Sequence, residues 1–260
     1  MLKELRRSEP VLWRTGCFMI PVIVICLIGM PFDTRQVTGT NPWLKPFKFA
    51  VSILIYVWTL GWFLRFVEGA ERSKQAVRWG VSLAMTGEIL LITLQAARGV
   101  PSHFNVESAF DAVVFSLMGL FILLNTFLVA LALLLLLVWP SGIQPAYLMG
   151  IRMGLLVFLI GSLEGMVMIL NQAHAVGVRD GGPGLPFLNW STQAGDLRAP
   201  HAFALHALQG LPLIGYAISR WCRARPVLLQ LALVSLAGFG WLAVFLALFA
   251  RAVAGLPVIG

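Results

Sequence analysis

The sequence predicts an all-α, polytopic transmembrane helix bundle of about seven spans, and three observations support that prediction. Hydrophobic residues make up 59% of the 260 residues and charged residues only 12%, whereas an ordinary soluble domain is about 25% charged. Apolar runs of about 20 residues, the length that crosses a bilayer, recur along the whole chain. The polar stretches between these runs are short, so we expect residues 1–260 to form a single transmembrane domain.

The spans are predicted from seven apolar runs. The first run, Leu12 to Phe32, follows a charged start that resembles a signal peptide, but it is too long for one and no small-x-small cleavage site follows it. We therefore expect it to be retained as the first span. The predicted spans are residues 12–31, 47–66, 79–98, 111–138, 148–172, 200–221 and 227–250.

The orientation of the chain is predicted from its Lys and Arg residues. With the N-terminus inside, the inner segments hold 12 of the 19 basic residues and the outer segments hold 7. Cytoplasmic loops carry such an excess, so we expect an N-in/C-out protein that crosses the cell membrane several times. The polar segments 32–46, 99–110 and 173–199 then share the outer face.

The net charge of +8 would suggest nucleic-acid binding in a soluble protein. Here the basic residues lie in short loops between apolar runs, so nucleic acid is excluded as a partner and the lipid bilayer is the expected one. Whether the protein also has protein partners stays open from the sequence. The cysteines Cys17, Cys26 and Cys222 form neither a CxxC motif nor a disulfide framework.

Three of the four histidines, His103, His174 and His201, are predicted near the outer face. Imidazole is the commonest metal ligand and a frequent axial ligand of haem, so these residues are candidate ligands for haem or a transition metal. His206 lies about 7.5 Å deeper than His201 and about 140° around the helix, so it is a candidate for a separate site. The alternative is that the histidines cap helix ends at the interface, and no HExxH or CxxCH motif selects between the two hypotheses.

Two carboxylates are predicted in the middle of spans, Glu88 in the third and Glu164 in the fifth. A charged group is costly there and usually faces a bundle interior or a water-filled cavity. With Gln95 and Asn171 toward the outer face, these residues indicate a polar path for protons, ions or a substrate. The alternative is that they form interhelical hydrogen bonds that fix packing.

The connection 173–199 is rich in Gly and Pro, which predicts defined turns, and we expect it to fold as a lid over the outer end of the bundle. Asp180 lies in its glycine-rich part and Trp190 fits the aromatic belt of a membrane interface. Asp196 is placed to cap the sixth span, and Arg198 is placed to pair with it or with an anion. The segment contains no phosphate-binding glycine motif.

Small residues and prolines predict how some spans pack. Gly150, Gly154, Gly161 and Gly165 form two GxxxG pairs in the fifth span, which predicts close helix packing and a central position for that span. Pro212 is expected to kink the sixth span just beyond His206. Trp43, Lys45 and Lys48 before the second span are typical of an interface anchor.

Four phrases of the sequence resemble a group of bacterial multi-pass membrane proteins of the same seven-span type. The resemblance covers most of the chain and implies the fold and a bacterial inner membrane as the location. It implies no activity, ligand or catalytic residue. The phrases are NPWLKPFKF, RGVPSHFN, DGGPGLPFLNWST and GDLRAPHAFALHALQ.

Three functions remain open at this point. The first is a redox or metal/haem-binding protein that uses the histidines near the outer face. The second is a small-solute or proton-coupled transporter that uses Glu88 and Glu164. The third is a membrane scaffold or assembly factor whose polar residues only specify packing, and the sequence does not decide whether the protein is an enzyme.

Overall fold

A computed structural model describes residues 2–259 of the chain. Over these residues the structure is helical, apart from turns, loops and one short two-stranded ladder. The elements in chain order are α1 (Leu2–Ser8), α2 (Pro10–Phe32), α3 (Leu44–Leu64), α4 (Glu71–Arg98), α5 (Ala109–Val138), α6 (Pro145–Asn171), β1 (Ala175–Val176), β2 (Gly195–Asp196), α7 (Arg198–Leu205), α8 (Ala207–Trp221) and α9 (Val227–Val253).

Within residues 2–259, seven helical segments are long and apolar enough to cross a membrane. They are α2 to α6, the continuous stretch of α7 and α8, and α9. The predicted all-α bundle of seven spans is therefore confirmed. The N-in/C-out orientation stays a prediction.

The largest boundary difference concerns α4, which begins at Glu71, eight residues before the predicted span. Its first two turns are polar, and ion pairs hold them in place. Lys74 Nζ lies 2.5 Å from Glu71 Oε1, and Arg78 donates to both carboxylate oxygens of the buried Glu9 at 2.5 and 2.7 Å. Hydropathy alone does not detect a helix that extends past its apolar run.

The sixth span is interrupted at His206, where α7 ends and α8 begins. Pro212 lies inside α8, so the interruption comes six residues before the proline rather than beyond His206 as expected. The carbonyl of His206 accepts hydrogen bonds from the backbone N–H groups of both Gln209 and Gly210, at 3.1 and 3.0 Å. This shared acceptor tightens the first turn of α8.

The chain divides into two compact units. The first unit contains the chain up to Arg65, Glu71–Leu128 and Asp180–Asn189, and the second contains Phe66–Ala70, Val129–Arg179 and the chain from Trp190 onward. Helix α5 gives its first part to the first unit and its last part to the second. Both units consist mainly of membrane-type helices, and the single domain of residues 1–260 stays a prediction.

In the first unit, α2 lies directly against α3 and α4. Gly16 of α2 faces the indole of Trp58 on α3 and leaves no room for a side chain. Thr15 Oγ1 of α2 lies 2.7 Å from Ser82 Oγ of α4, a hydrogen bond that joins the first and third spans. Fully buried apolar side chains between these helices include Leu12, Met19, Leu60 and Ile89.

In the second unit, α6 packs closely against α7 and α8 through its glycines. A side-chain carbon at Gly150 would lie 2.5 Å from the carbonyl oxygen of Leu211, and one at Gly161 would lie 2.5 Å from Cβ of Ala204. Gly154 is similarly confined. The predicted close packing through these glycines is confirmed. The buried cluster beside them consists of Val157, Ala204, Ala207, Leu211 and Phe245.

The two ends of the connection 173–199 meet in the second unit. β1 and β2 pair antiparallel, with Ala175 opposite Asp196 and Val176 opposite Gly195. The backbone N–H of Leu197 extends this ladder by donating to the carbonyl of His174 at 3.0 Å. The ladder therefore fixes the start of α7, the helix that carries His201.

Candidate functional site

The residue at the centre of the first unit's site is Glu88, on the buried face of α4. Its position in the helix is about 15 Å from the Arg98 end and about 25 Å from the Glu71 end, at 1.5 Å per residue. The side chain is 1% exposed, and among residues 2–259 no group donates a hydrogen bond to either carboxylate oxygen. A buried carboxylate without donors is costly in its charged form.

His103 is the group that faces Glu88. Its Nε2 lies 4.0 Å from Glu88 Oε1, and its side chain is 23% exposed. His103 belongs to the loop between α4 and α5, which Gly99 begins with a left-handed backbone, φ +73°. The imidazole therefore lies between the buried carboxylate and the accessible surface of this unit.

The other ring nitrogen of His103 faces two polar groups. Nδ1 lies 3.2 Å from Nζ of Lys45, in the first turn of α3, and 3.0 Å from Oγ of Ser102. An ammonium group can only donate hydrogen bonds, so Nδ1 accepts from Lys45. The neutral imidazole then carries its hydrogen on Nε2, the nitrogen that faces Glu88.

Three phenylalanine rings surround the imidazole. The ring centroids of Phe49, Phe104 and Phe115 lie 6.0, 6.2 and 6.2 Å from that of His103. The rings pack around the imidazole at tilted and edge-on angles and so hold it in place. We call Glu88, His103, Lys45 and Ser102 the Glu88 site.

Gln95 lies on the same helix as Glu88 but belongs to a separate network. Its side-chain amide donates to Asp111 at 2.8 Å, and Asp111 also pairs with Arg98 and accepts a hydrogen bond from Ser108 at 2.5 Å. This network joins the end of α4 to the start of α5. The contacts of Gln95 therefore have a packing role between α4 and α5. The polar path through Gln95 stays a prediction.

The second unit contains its own carboxylate–histidine contact. His201 Nδ1, on α7, lies 2.9 Å from the carbonyl oxygen of Gly161 and 3.1 Å from Oε2 of Glu164, both on α6. The Glu164 side chain is 3% exposed, and its other oxygen, Oε1, has no hydrogen-bond partner in the described part of the chain. The sequence predicted both residues as candidates, and the structure brings them together.

The remaining candidates from the sequence shape turns. Asn171 donates from its amide to the carbonyls of Ala173 and Ala175, at 3.1 and 2.9 Å, and so closes the turn after α6. His174 joins the β ladder through its carbonyl. His206 is exposed at the break between α7 and α8.

The structure gives the predicted metal or haem site no support beyond the positions of single histidines. His103 belongs to the first unit, whereas His174 and His201 belong to the second. Among residues 2–259, no three His, Cys, Asp or Glu side chains are grouped as a metal ion requires. The site for haem or a transition metal stays a prediction.

In the connection 173–199, Asp196 and Arg198 form the expected pair. Asp196 is fully buried, and its Oδ1 accepts from the backbone N–H and Nε of Arg198 at 3.0 and 2.9 Å. Nη2 of Arg198 lies 2.6 Å from Oδ2 of Asp196. Arg198 therefore pairs with Asp196 as predicted, but the residue that caps α7 is Leu197 and not Asp196.

Asp180 begins the segment Asp180–Asn189, which belongs to the first unit, and Trp190 directly follows it. Lys48 of α3 donates to the carbonyls of Phe187 and Leu188 at 3.1 and 3.2 Å. The segment is therefore docked on the first turn of α3, beside the residues that reach His103. Its role as a lid stays a prediction.

Lys45 is the site residue that sequence reasoning did not identify. The sequence predicts that Lys45 anchors the chain at the interface together with Trp43 and Lys48, and that role stays a prediction. In the structure the ammonium of Lys45 reaches His103, and the indole of Trp43 donates to Asp33 at 2.9 Å. The sequence feature that indicates a defined position for Lys45 is its place between two prolines in NPWLKPFKF, because proline restricts the backbone where the chain enters α3.

A second feature missed in the sequence is an Asp-x-Arg turn that occurs once in each unit. In the first unit, Oδ1 of Asp33 accepts from the backbone N–H and Nε of Arg35 at 3.1 and 2.9 Å, and Nη2 lies 2.6 Å from Oδ2. Asp196 and Arg198 repeat this geometry to within 0.1 Å. The first turn lies between α2 and α3, and the second lies between α6 and α7.

Comparisons with protein-family models, with curated proteins and with solved structures found no match.

Proposed function

We propose that the protein is a proton-coupled transporter in which Glu88 takes up and releases the proton. The observation that carries the proposal is the burial of the Glu88 carboxylate, with neither oxygen hydrogen-bonded and His103 at 4.0 Å. An ionisable group is a costly way to join helices. In the described residues the Glu88 carboxylate forms no hydrogen bond with another helix. A role in joining helices therefore does not explain why a glutamate is buried at this position.

The proton transfer follows from the tautomer of His103. An Nζ–H bond of the Lys45 ammonium breaks as an Nδ1–H bond forms on His103, and the Nε2–H bond breaks as an Oε1–H bond forms on Glu88. Lys45 is left as a neutral amine and regains a proton before the next transfer. The imidazole is neutral before and after the step and ends in its other tautomer, so it must release the Nδ1 proton and regain one on Nε2 before it transfers again. Transfer requires Nε2 and Oε1 to approach by about 1 Å, from 4.0 Å to hydrogen-bond distance.

The repeated Asp-x-Arg turn is a second support for a transporter. Many transporters are built from internal structural repeats that are weak in sequence. The first unit has an Asp-x-Arg turn between α2 and α3, and the second has one between α6 and α7. Each unit also has a buried glutamate beside a histidine, on α4 after the turn in the first unit and on α6 before the turn in the second. A scaffold requires neither feature.

The test is a pH-jump infrared experiment on the protein in lipid nanodiscs, followed by proton-flux measurements in liposomes. We expect a carboxylic-acid band that responds to pH and disappears in Glu88→Gln. In His103→Gln the band should form at least about tenfold more slowly, since loss of an acid–base group typically costs more than that. Proton uptake driven by a membrane potential should fall in both variants.

The matched control is Glu107→Gln, which removes an exposed carboxylate from the loop that also carries His103. It should leave the infrared band and the proton flux unchanged. If Glu88→Gln retains the band and the flux but unfolds more easily, Glu88 has a packing role and the scaffold hypothesis replaces the transporter.

A further inference from the structure

The contact between Glu164 and His201 in the second unit has no role in the proton transfer proposed for Glu88. Gly161 and Gly165 lie four residues apart on α6, where a side chain would block the imidazole. A side-chain carbon at Gly165 would lie 3.2 Å from Cε1 of His201. The absence of a side chain at these glycines lets the ring of His201 lie directly against the backbone of α6.

The hydrogen bonds of His201 fix which nitrogen carries the hydrogen. The carbonyl oxygen of Gly161 can only accept, so Nδ1 is the donor, and it is shared between this carbonyl and Oε2 of Glu164. A proton that binds to the neutral imidazole must therefore add to Nε2. The His201 side chain is 27% exposed, whereas the carboxylate that compensates the added charge is buried.

Glu164 has no other cation in contact. Among the described residues, His201 is the only positively chargeable group within 4.0 Å of its carboxylate. The other Lys, Arg, Asp and Glu side chains of α6, α7 and α9 have partners of their own. Arg152 of α6 donates to the carbonyl of Leu136, Arg198 of α7 pairs with Asp196, and Arg251 of α9 donates to the carbonyl of Pro257.

We propose that Glu164 and His201 form a second proton-binding site, whose ligand is one proton added to Nε2 of His201. An Nε2–H bond forms, no other covalent bond changes, and the pair passes from a net charge of −1 to zero. After protonation the pair has no net charge, because the positively charged imidazolium lies at hydrogen-bond distance from the negatively charged, buried carboxylate. This site is separate from the Glu88 site and does not depend on its role.

Nitrogen-15 NMR of histidine-labelled protein in nanodiscs tests this inference, because the chain has only four histidines. His201→Asn identifies the signals of His201. We expect a hydrogen on Nδ1 and none on Nε2 at high pH, and a hydrogen on both nitrogens after acidification. In Glu164→Gln the added charge loses its buried counter-charge, so the form of His201 with a hydrogen on both nitrogens should be less populated at low pH than in the wild-type protein.

The control is His206→Asn, which removes an exposed histidine one turn away and should leave the His201 signals unchanged. If the His201 signals do not change with pH, or change at the same pH in Glu164→Gln, the inference is wrong. If Glu164→Gln does not fold, the wild-type protein and His201→Asn provide the test. The carboxylate infrared band of Glu164 should shift over the pH interval in which His201 takes its proton, and His201→Asn should remove that shift.

The outcome is independent of the test of Glu88. The band assigned to Glu88 is lost in Glu88→Gln and kept in Glu164→Gln if both proposals hold. If only the infrared test of Glu88 fails, the second proton site at Glu164 and His201 still stands. If only the NMR test of His201 fails, the transporter proposal still stands with Glu88 as its one proton site.

Discussion

Glu88 and Glu164 are both buried glutamates, but their carboxylates differ in how many hydrogen bonds they accept. Glu164 has one oxygen bonded to His201, whereas Glu88 has neither oxygen bonded and faces His103 across 4.0 Å. The sequence predicted both carboxylates because charge is rare within apolar runs. It did not predict their partners, since the partners come from loops and helix ends whose positions depend on tertiary packing.

The turn formed by Asp33 and Arg35 gives a pH-dependent prediction at the scale of single residues. Hydrogen bonds from the Arg35 guanidinium hold the pKa of Asp33 well below its usual range. An aspartate titrates at about 3.9 in an unfolded chain, so its contribution to stability is present above that pH and is lost as the pH falls below it. Asp33→Asn should therefore lower the melting temperature in detergent at pH 7, and the difference from wild type should shrink toward pH 3.

The control for Asp33 is the same substitution in an Arg35→Gln background. There the ionic partner is already absent, so Asp33→Asn should cost less than it does in the wild-type chain. A difference from wild type that stays constant between pH 7 and pH 3 would contradict the prediction.

At the scale of elements, the glycines of α6 show which packing the sequence predicts well. The GxxxG spacing correctly indicated a close helix contact, because small residues at that spacing lie on one helix face. The break at His206 was not predicted, since the sequence indicates only that Pro212 lacks an N–H. The position of the break depends on how α7 and α8 pack against α6.

Gly150→Ala tests this close contact. The added carbon would lie 2.5 Å from the carbonyl oxygen of Leu211, a backbone atom of α8 that cannot move freely. Overpacking of this kind should lower the free energy of unfolding by about 1–3 kcal/mol, measured by denaturant unfolding in detergent. Gly240→Ala is the matched control, because nothing lies within 4 Å of its added carbon. It should be neutral or stabilising, since alanine favours a helix over glycine by up to about 1 kcal/mol.

At the scale of the whole molecule, the sequence predicted the seven spans and their order, because hydropathy over about 20 residues depends only on local composition. It did not predict that residues 180–189 belong to the first unit while the chain on either side of them belongs to the second. The contacts that join this segment to the first unit include the hydrogen bonds from Lys48 to the carbonyls of Phe187 and Leu188, and the bond from the Asn189 amide to the carbonyl of Thr38. Contacts between residues so distant in sequence leave no periodic signal.

The orientation of the molecule is the last prediction, and the sixth span offers a direct test of it. Gln193 lies before this span and Cys222 directly after it, so the two positions must face opposite sides if Arg198–Trp221 crosses the membrane. The basic residues Arg220, Arg223 and Arg225 surround Cys222 and are expected inside. In a background with Cys17 and Cys26 replaced by serine, a membrane-impermeant maleimide should label Gln193→Cys in intact cells.

Cys222 should be labelled only after permeabilisation, and Cys222→Ser should not be labelled at all. Reversed labelling would show an N-out protein, and labelling of both positions from one side would show that this helix does not span the membrane.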